Sequence, residues 1–279
     1  MPIPTPKDAI PVDREYDQII RAHYDEVARS DGDSELSTMA TPYVRKKETE
    51  FIERQIRKHL NNGEHHEFQV MDVGCGNGYT LHEMAETFPS LTMKGIEAND
   101  SLRKIAIQRF EGSLVTITKG DIRDSASLPS GVDILICQRV LINLLDHADQ
   151  QVALKNLIDT VRPGGILIFI ECFLSSLINL NLARKESGLD PLPAAIHNLY
   201  LPDNFFDNGN IFRYDNTDEH LLSTHYFVTR VLHEAHLKSR NEEFVRNSHF
   251  VSFFTDALPE SIGNYSPLRF LCYMKTAAI

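Results

Sequence analysis

The chain has 279 residues, 42% of them hydrophobic, and a formal net charge of −11 at pH 7. This length supports a substantial core, and the negative charge argues against nucleic acid as a substrate because phosphate contacts dominate that affinity. The aliphatic runs are too short to cross a bilayer, and no N-terminal segment has the order of a signal peptide. The four cysteines lack metal-ligand spacing, so we expect reduced thiols and no metal site. Together these features predict a cytoplasmic protein without a membrane partner.

The N-terminal region predicts an arm and two helices. Residues 1–11 contain four prolines, so we expect an extended arm that takes part in a homodimer. Apolar residues at helical spacing predict a helix over residues 16–28. A second helix is predicted from Pro42 to about residue 60, because proline is well placed at a first helical position.

The most informative segment is residues 70–79, Val-Met-Asp-Val-Gly-Cys-Gly-Asn-Gly-Tyr. An apolar run over 68–73 ends in this glycine loop, and a helical pattern over 79–88 follows. Only glycine lets a ligand approach the backbone so closely. The glycines fall as G-x-G-x-G instead of the G-x-G-x-x-G of a dinucleotide site. Asp72 at the strand end would repel a pyrophosphate but could hold a cationic group.

Four more strand-like runs follow in chain order, at 91–96, 115–119, 132–137 and 166–170. The first of them ends at Glu97, which lies 19 residues past Gly78 and can accept hydrogen bonds from both ribose hydroxyls. Each piece alone has an ordinary structural explanation. Glycine loops also close simple turns, Glu97 alone is compatible with a solvated strand-end acid, and Asp121 alone with a helix N-cap.

Taken together, the glycine loop, Glu97, Gly120-Asp121-Ile122 and the Arg162–Gly165 loop resemble the class I S-adenosylmethionine-dependent methyltransferases. The resemblance covers roughly residues 43–172. It implies an α/β Rossmann-like fold with a seven-stranded sheet, an N-terminal helical lid and an insertion after strand five. S-adenosylmethionine is the implied cofactor, since it carries a sulfonium, an ammonium and no phosphate.

The resemblance also implies roles for individual residues. Asp121 would bond the adenine amino group, Ile122 would pack on the adenine ring, and Arg45 would clamp the methionine carboxylate. For Arg45 a solvated helix face is the structural alternative. The expected cofactor-binding residues are Arg45, Asp72, Gly74, Cys75, Gly76, Gly78, Glu97, Ala98, Asp121, Ile122, Gln138 and Arg139.

Residues 174–212 form a longer segment than this fold requires after its fifth strand. A helix is predicted over 174–186, ended by Gly188, and prolines then force an extended stretch. An insertion here lies over the carboxyl ends of the strands, where open α/β sheets bind ligands. Its asparagine, arginine and histidine pattern resembles a branch that includes polysaccharide-locus enzymes and carboxyl O-methyltransferases acting on peptide C-termini or small organic acids.

Two acceptor chemistries remain open. A carboxylate is already anionic and needs only cationic or hydrogen-bonding groups to orient it, whereas a sugar or phenol hydroxyl needs a general base. Arg139, Arg184, Arg213 and His197 are expected near the substrate mouth, which favours a carboxylate. The alternatives are methylation of a hydroxyl with His197 as base, and a non-catalytic cofactor-binding subunit. Intact Asp72, glycine loop and Glu97 argue against the latter.

The predicted catalytic residues are His197, Arg184 and Arg139, and the predicted substrate-binding residues are Tyr24, Met39, Asn143, Asn181, Arg184, His197 and Tyr200. Loop bonding by Asn181 and packing by His197 are the structural alternatives.

The C-terminal region is expected to complete the sheet. We predict a long helix over residues 215–235, strands at 243–246 and 250–254, and a last strand at 269–275 that forms an antiparallel hairpin. The predicted divisions are an arm and lid at 1–62, the cofactor-binding core at 63–173, the capping insertion at 174–213 and the closing elements at 214–279.

Overall fold

Seven strands form one mixed sheet in the order β3-β2-β1-β4-β5-β7-β6. The computed structural model describes residues 14–62, 67–245 and 248–276. The strands are β1 (Gln69–Val73), β2 (Thr92–Ile96), β3 (Thr116–Thr118), β4 (Val132–Gln138), β5 (Val161–Cys172), β6 (Ile211–Asp215) and β7 (Leu268–Lys275). Only β7 runs antiparallel to its neighbours, β5 and β6. The predicted fold class is therefore confirmed.

Helices connect these strands. They are α1 (Asp17–Ser30), α2 (Pro42–Asn62), α3 (Tyr79–Thr87), α4 (Asp100–Arg109), α5 (His147–Thr160), α6 (Leu174–Glu186), α7 (Ser223–Phe227), α8 (His233–Arg240) and α9 (His249–Ala257). A π-helical turn, Val228–Leu232, joins α7 to α8. Among the described residues, no helix is both long and apolar enough to span a bilayer, and no group of three or more potential metal ligands occurs.

The core lies on both faces of the central strands. Residues 166–170 of β5 are fully buried, as expected for a strand covered by helices on each side. Helix α2 belongs to this core, because Phe51, Ile52 and Ile56 are buried. The Phe51 ring meets the Phe270 ring of β7 edge to face at 5.2 Å between centroids. The second predicted lid helix is thus packed on the sheet, whereas α1 contributes no buried residue.

The C-terminal predictions were partly wrong. The predicted long helix over 215–235 is instead the end of β6, a turn and the helical run α7 to α8. Residues 243–245 form no strand, and the apolar run at 250–254 lies in α9. The run was assigned the two-residue period of a strand, but Val251 and Thr255 lie on one buried face at helical spacing. Ser248 caps this helix. Residues 216–267 separate β6 from β7, so these strands form no hairpin.

The remaining predictions concern the helix of the insertion, the domain bounds and residues that the structure does not describe. Helix α6 spans the residues expected for the insertion's helix. Strand β6 crosses the division predicted between residues 213 and 214, and the domain bounds stay a prediction. The predicted arm at residues 1–11 and Arg246 lie outside the described residues.

The packing around β2 generates a stability prediction. A Cβ on Gly95 would meet Ile117 Cδ1 at 2.6 Å, Cys75 Sγ at 2.8 Å and Leu81 Cδ1 at 2.8 Å. We expect Gly95→Ala to lower the free energy of unfolding by ~1–3 kcal/mol through overpacking. Gly209→Ala is the matched control, because a Cβ there meets nothing within 4 Å. Denaturant unfolding measures both; wild-type stability in Gly95→Ala would contradict the packing described.

Candidate active site

The glycine loop after β1 closes against the neighbouring strands. The amides of Gly74 and Cys75 donate to the Ile96 carbonyl of β2 at 2.7 and 3.1 Å. Gly74, Gly76 and Gly78 all have positive φ, between 58° and 80°, a region that favours glycine. A Cβ on Gly74 would clash with a Val140 methyl carbon in the turn after β4. Loop and turn therefore meet at the carboxyl edge of the sheet.

Glu97 supports this loop from the end of β2. Its carboxylate accepts hydrogen bonds from the Gly76 amide at 2.8 Å and from the Asn99 amide at 2.7 Å. Burial raises the pKa of Glu97, while these amide bonds act in the opposite direction. Each oxygen retains acceptor capacity for a ribose hydroxyl, so the predicted role is compatible with these contacts.

Asp72 is a second buried acid at the same edge. Burial, with a smaller contribution from the charge of Glu97, raises the pKa of Asp72 to about 8, and Arg45 acts in the opposite direction. Two desolvated carboxyl groups close together favour a cationic ligand. These acidic groups thus fit the sulfonium and ammonium groups of S-adenosylmethionine, and Asp72, the glycine loop and Glu97 would hold that cofactor.

The predicted adenine side is linked to the lid. Arg123 forms a two-pronged contact with Asp121, with N–O distances of 2.7 to 3.2 Å, and also donates to Asp17 of α1 at 3.0 Å. Asp149 of α5 accepts from Arg14 and Tyr16. Sequence reasoning missed these partners, which come from distant parts of the chain.

Further polar contacts hold the N-terminal segment over the glycine loop. Asn77 Nδ2 donates to the carbonyls of Gly32 and Ser34 at 3.1 and 2.9 Å. Asp25 of α1 accepts from the side chains of Asn99 and Ser101, both at 2.9 Å. The segment before α2 therefore covers the site mainly through hydrogen bonds and ion pairs.

Arg45, Glu48 and Arg139 form what we call the arginine–glutamate cluster. Glu48 is fully buried; one of its oxygens accepts from Arg139, and the other lies 3.6 Å from Arg45 Nη1. Arg45 also donates to the Glu35 carbonyl and to Thr38 Oγ1. Burial lowers the pKa of both arginines to about 10, so both stay cationic near neutral pH. Two cations thus share one anion, which leaves an excess positive charge in the cluster.

Arg139 has an unusual backbone, with φ of 56°. Left-handed φ is uncommon outside glycine and costs conformational energy that the surroundings must offset. The support comes from Glu171 at the end of β5, whose carboxylate accepts from the amides of Val140, Leu141 and Ile142 at 2.9, 3.0 and 3.3 Å. Sequence reasoning missed Glu171 and Glu48. The one acid in the apolar run of β5 was the available signal for Glu171.

Four predicted substrate residues lie around the turn after β4 and the loop after α6. Asn143 Nδ2 donates to Tyr24 Oη at 2.7 Å and to the Arg139 carbonyl at 2.9 Å. The His197 ring stacks on His23 of α1, with centroids 3.7 Å apart. Burial and then the charge of His23 lower the pKa of His197 to about 4. Tyr200 is partly buried and packs against the core.

The remaining predicted residues sit close to this edge. Gln138 Oε1 accepts from Thr80 Oγ1 at 3.0 Å, and Met39 packs against the core. The Ile122 side chain is buried, and the Ala98 carbonyl accepts from Arg103 at 3.5 Å.

Three residues predicted near the substrate have intramolecular partners in the structure. Arg184 donates to the carbonyls of Asp190 and Arg230 and to Glu234 Oε2, so it braces α6 against α8. Asn181 exchanges two hydrogen bonds with the backbone of Leu192 and shapes the loop after α6. Arg213 of β6 bonds to Asp215, Glu219 and Tyr273. These partners favour structural roles for the three side chains, and their contact with the substrate stays a prediction.

Comparison with known proteins identifies the domain. Residues 70–165 match the family described as "Methyltransferase domain". Trans-aconitate 2-methyltransferase of Deinococcus radiodurans is 32% identical over 100 residues, which are 36% of this chain and 36% of that protein. Malonyl-acyl-carrier-protein O-methyltransferase of Halalkalibacterium halodurans is 25% identical over 129 residues, 43% of this chain and 46% of that protein. The chain therefore spans less than half the length of these two curated relatives.

Solved structures show the same fold. Magnesium protoporphyrin IX methyltransferase of Synechocystis, solved with bound SAH, aligns with a TM-score of 0.54 at 13% identity, covering 93% of this chain and 100% of that one. A putative sarcosine dimethylglycine methyltransferase of Galdieria sulphuraria aligns with a TM-score of 0.52 at 13% identity, covering 83% and 86%. The predicted cofactor, S-adenosylmethionine, is confirmed as that of the matched family.

Asp72 generates a prediction about pH. Because its pKa is about 8, the carboxyl is mostly protonated at pH 7 before the cofactor binds. A cationic ligand stabilises the carboxylate and lowers that pKa, so binding releases a proton. Affinity for S-adenosylmethionine should therefore fall as pH drops below about 8, by up to about tenfold per pH unit.

Calorimetric titration at pH 7 in phosphate and in Tris measures this release, because the two buffers differ in ionisation enthalpy. Asp72→Asn should abolish the difference between buffers. Equal heats in both buffers with the wild-type protein would contradict the prediction.

Proposed function

Residues 70–165 form a class I S-adenosylmethionine-dependent methyltransferase domain, and we propose that the chain esterifies a carboxylate of a small organic acid or peptide terminus. Two relatives support this acceptor class, since their names specify methylation of trans-aconitate and O-methylation of a malonyl group. Both are distant and matched over part of their length, so the proposal rests mainly on the site.

The observation that carries the proposal is the excess positive charge of the arginine–glutamate cluster. Arg139 lies in the turn after β4, beside the glycine loop, and its guanidinium is largely buried. A desolvated guanidinium presents several N–H donors in a fixed plane that matches the two oxygens of a carboxylate. A neutral sugar hydroxyl would leave much of this charge uncompensated.

The chemistry requires orientation more than proton transfer. S-adenosylmethionine supplies a methyl group that the positive sulfur already activates, and a carboxylate oxygen attacks it without losing a proton. Asp72, Glu97 and the glycine loop hold the cofactor, while Arg139 orients the acceptor. The N-terminal segment before α2 excludes water, so that positioning supplies most of the rate.

The alternative acceptor, a hydroxyl deprotonated by His197, has weaker support. A general base works best when its pKa lies near the working pH. His197 stacks on His23 and has a pKa of about 4, so it is neutral but weakly basic near pH 7. A non-catalytic cofactor-binding role is also less well supported, because the acids and glycines of the cofactor site are all present.

The cluster predicts a division of work between its two arginines. We expect Arg139→Gln to raise the acceptor KM roughly 10–100-fold, as loss of a charge-assisted contact does, while S-adenosylhomocysteine affinity changes less than about threefold. Arg45→Gln should instead weaken the binding of S-adenosylhomocysteine and leave the acceptor KM nearly unchanged, because Arg45 lies beside Asp72 at the expected methionine end.

Methylthioadenosine, which lacks the amino-acid end of the cofactor, is the control ligand for the Arg45 variant. Its affinity should be insensitive to Arg45→Gln. Binding titrations measure the ligand affinities, and steady-state kinetics measure the acceptor KM. Loss of S-adenosylhomocysteine binding in Arg139→Gln but not in Arg45→Gln would overturn the division.

His197 decides between the acceptor chemistries. If the acceptor is a carboxylate, His197→Ala should lower turnover less than about tenfold; a lost general base would cost ~10²–10⁴-fold. The assay screens dicarboxylic acids, aromatic acids, peptide C-termini and sugars for release of demethylated cofactor. Products labile to mild base are the expected esters, and base-stable ethers would refute the carboxylate proposal.

A further inference from the structure

The side-chain amide of Asn143 has one fixed orientation. Its Nδ2 donates to the Arg139 carbonyl at 2.9 Å and to Tyr24 Oη at 2.7 Å. A backbone carbonyl can only accept, so the nitrogen must face Arg139 and the oxygen must face away from it. That oxygen, Oδ1, is enclosed and accepts no hydrogen bond from the residues that the structure describes.

A buried hydrogen-bond acceptor that has no donor costs free energy. In native proteins such an atom usually receives a hydrogen bond from a ligand or a water molecule. The group that completes Asn143 Oδ1 must carry an O–H or N–H. It must also fit beside the turn that presents Arg139, because the same amide holds that residue's carbonyl.

Tyr24 adds a donor at the same place. Burial raises the pKa of Tyr24, so its phenol stays protonated. Tyr24 Oη accepts from Asn143 and, within the described part of the chain, donates to no other group. The charge of Arg139 also acts on this phenol, so its guanidinium lies near Tyr24. The turn therefore offers two donors, the phenol and the guanidinium, near one acceptor, Asn143 Oδ1.

We propose that the acceptor is a hydroxycarboxylic acid, whose carboxylate binds Arg139 and the Tyr24 hydroxyl and whose own hydroxyl donates to Asn143 Oδ1. This inference rests on the proposed carboxylate methylation. A hydroxyl suits the site better than an ammonium, because the arginine–glutamate cluster already carries excess positive charge. In the reaction a carboxylate oxygen bonds to the methyl carbon as the carbon–sulfur bond breaks. The products are a methyl ester and a neutral thioether, and the hydroxyl keeps its proton.

The test compares acids that differ only in the hydroxyl. Malate is paired with succinate, and 3-hydroxybutyrate with butyrate, using the full chain and S-adenosylmethionine. Wild-type kcat/KM should favour the hydroxy acid of at least one pair by about tenfold or more, since a buried acceptor is left unpaired by the other acid. Asn143→Leu should reduce this ratio to near one.

Asn179→Leu on α6 is the control, because Asn179 lies away from this turn and lines a surface groove. Its ratio should match the wild type. Thermal unfolding and S-adenosylhomocysteine affinity of each variant establish that the fold and the cofactor site persist. The ratio within one variant does not depend on its overall loss of activity.

The outcomes separate the two proposals. Esters formed equally from hydroxy and deoxy acids by the wild-type protein would overturn this inference and leave the carboxylate proposal standing. A wild-type protein that binds S-adenosylhomocysteine but esterifies none of the acids would overturn both. Methylation of the hydroxyl, seen as a base-stable ether, would also overturn both. A hydroxy-acid preference that survives in Asn143→Leu would remove Asn143 from the assignment.

Discussion

The fully buried carboxylate of Glu48 is the contact on which the geometry of the site depends. It lies on α2, whose apolar face belongs to the core, and it pairs with Arg45 on the same helix and with Arg139 after β4. Breaking a buried ion pair leaves an uncompensated charge, which costs far more than losing a surface pair. The pairing therefore ties the helix to the strand end and sets where both guanidiniums lie.

This arrangement separates charge across the carboxyl edge of the sheet. Glu97, joined by Asp72 once a cationic ligand ionises it, provides negative charge at the glycine loop, whereas the arginine–glutamate cluster provides an excess positive charge beside it. The covering elements also differ. Detaching α1 breaks mostly polar contacts that water can replace, because each of its residues keeps part of its surface exposed. Detaching α2 would expose Phe51 and the apolar residues around it, so detaching α1 would cost less free energy than detaching α2.

Local patterns predicted most of the fold. The continuous apolar runs of β1, β4 and β5, the glycine spacing and the acid at the end of β2 each depend on residues adjacent in the chain. The errors occurred where periodicity was ambiguous. The run at 250–254 has the composition of a strand but lies in α9, and the expected helix from residue 215 begins only at Ser223. Short apolar runs do not distinguish the two periods without their packing partners.

The sequence alone determined the fold class and the cofactor. It also predicted the acids and glycines that would face the cofactor, because these residues follow the ends of strands that lie side by side in the sheet. Only the tertiary structure showed which of the predicted arginines lies beside the glycine loop. Arg184 and Arg139 are equally plausible by composition, yet Arg184 of α6 pairs with Glu234 of α8 and Arg139 pairs with Glu48. Partners as far apart as Glu48 and Arg139 meet through the packing of α2 on the sheet, and no local pattern encodes that contact.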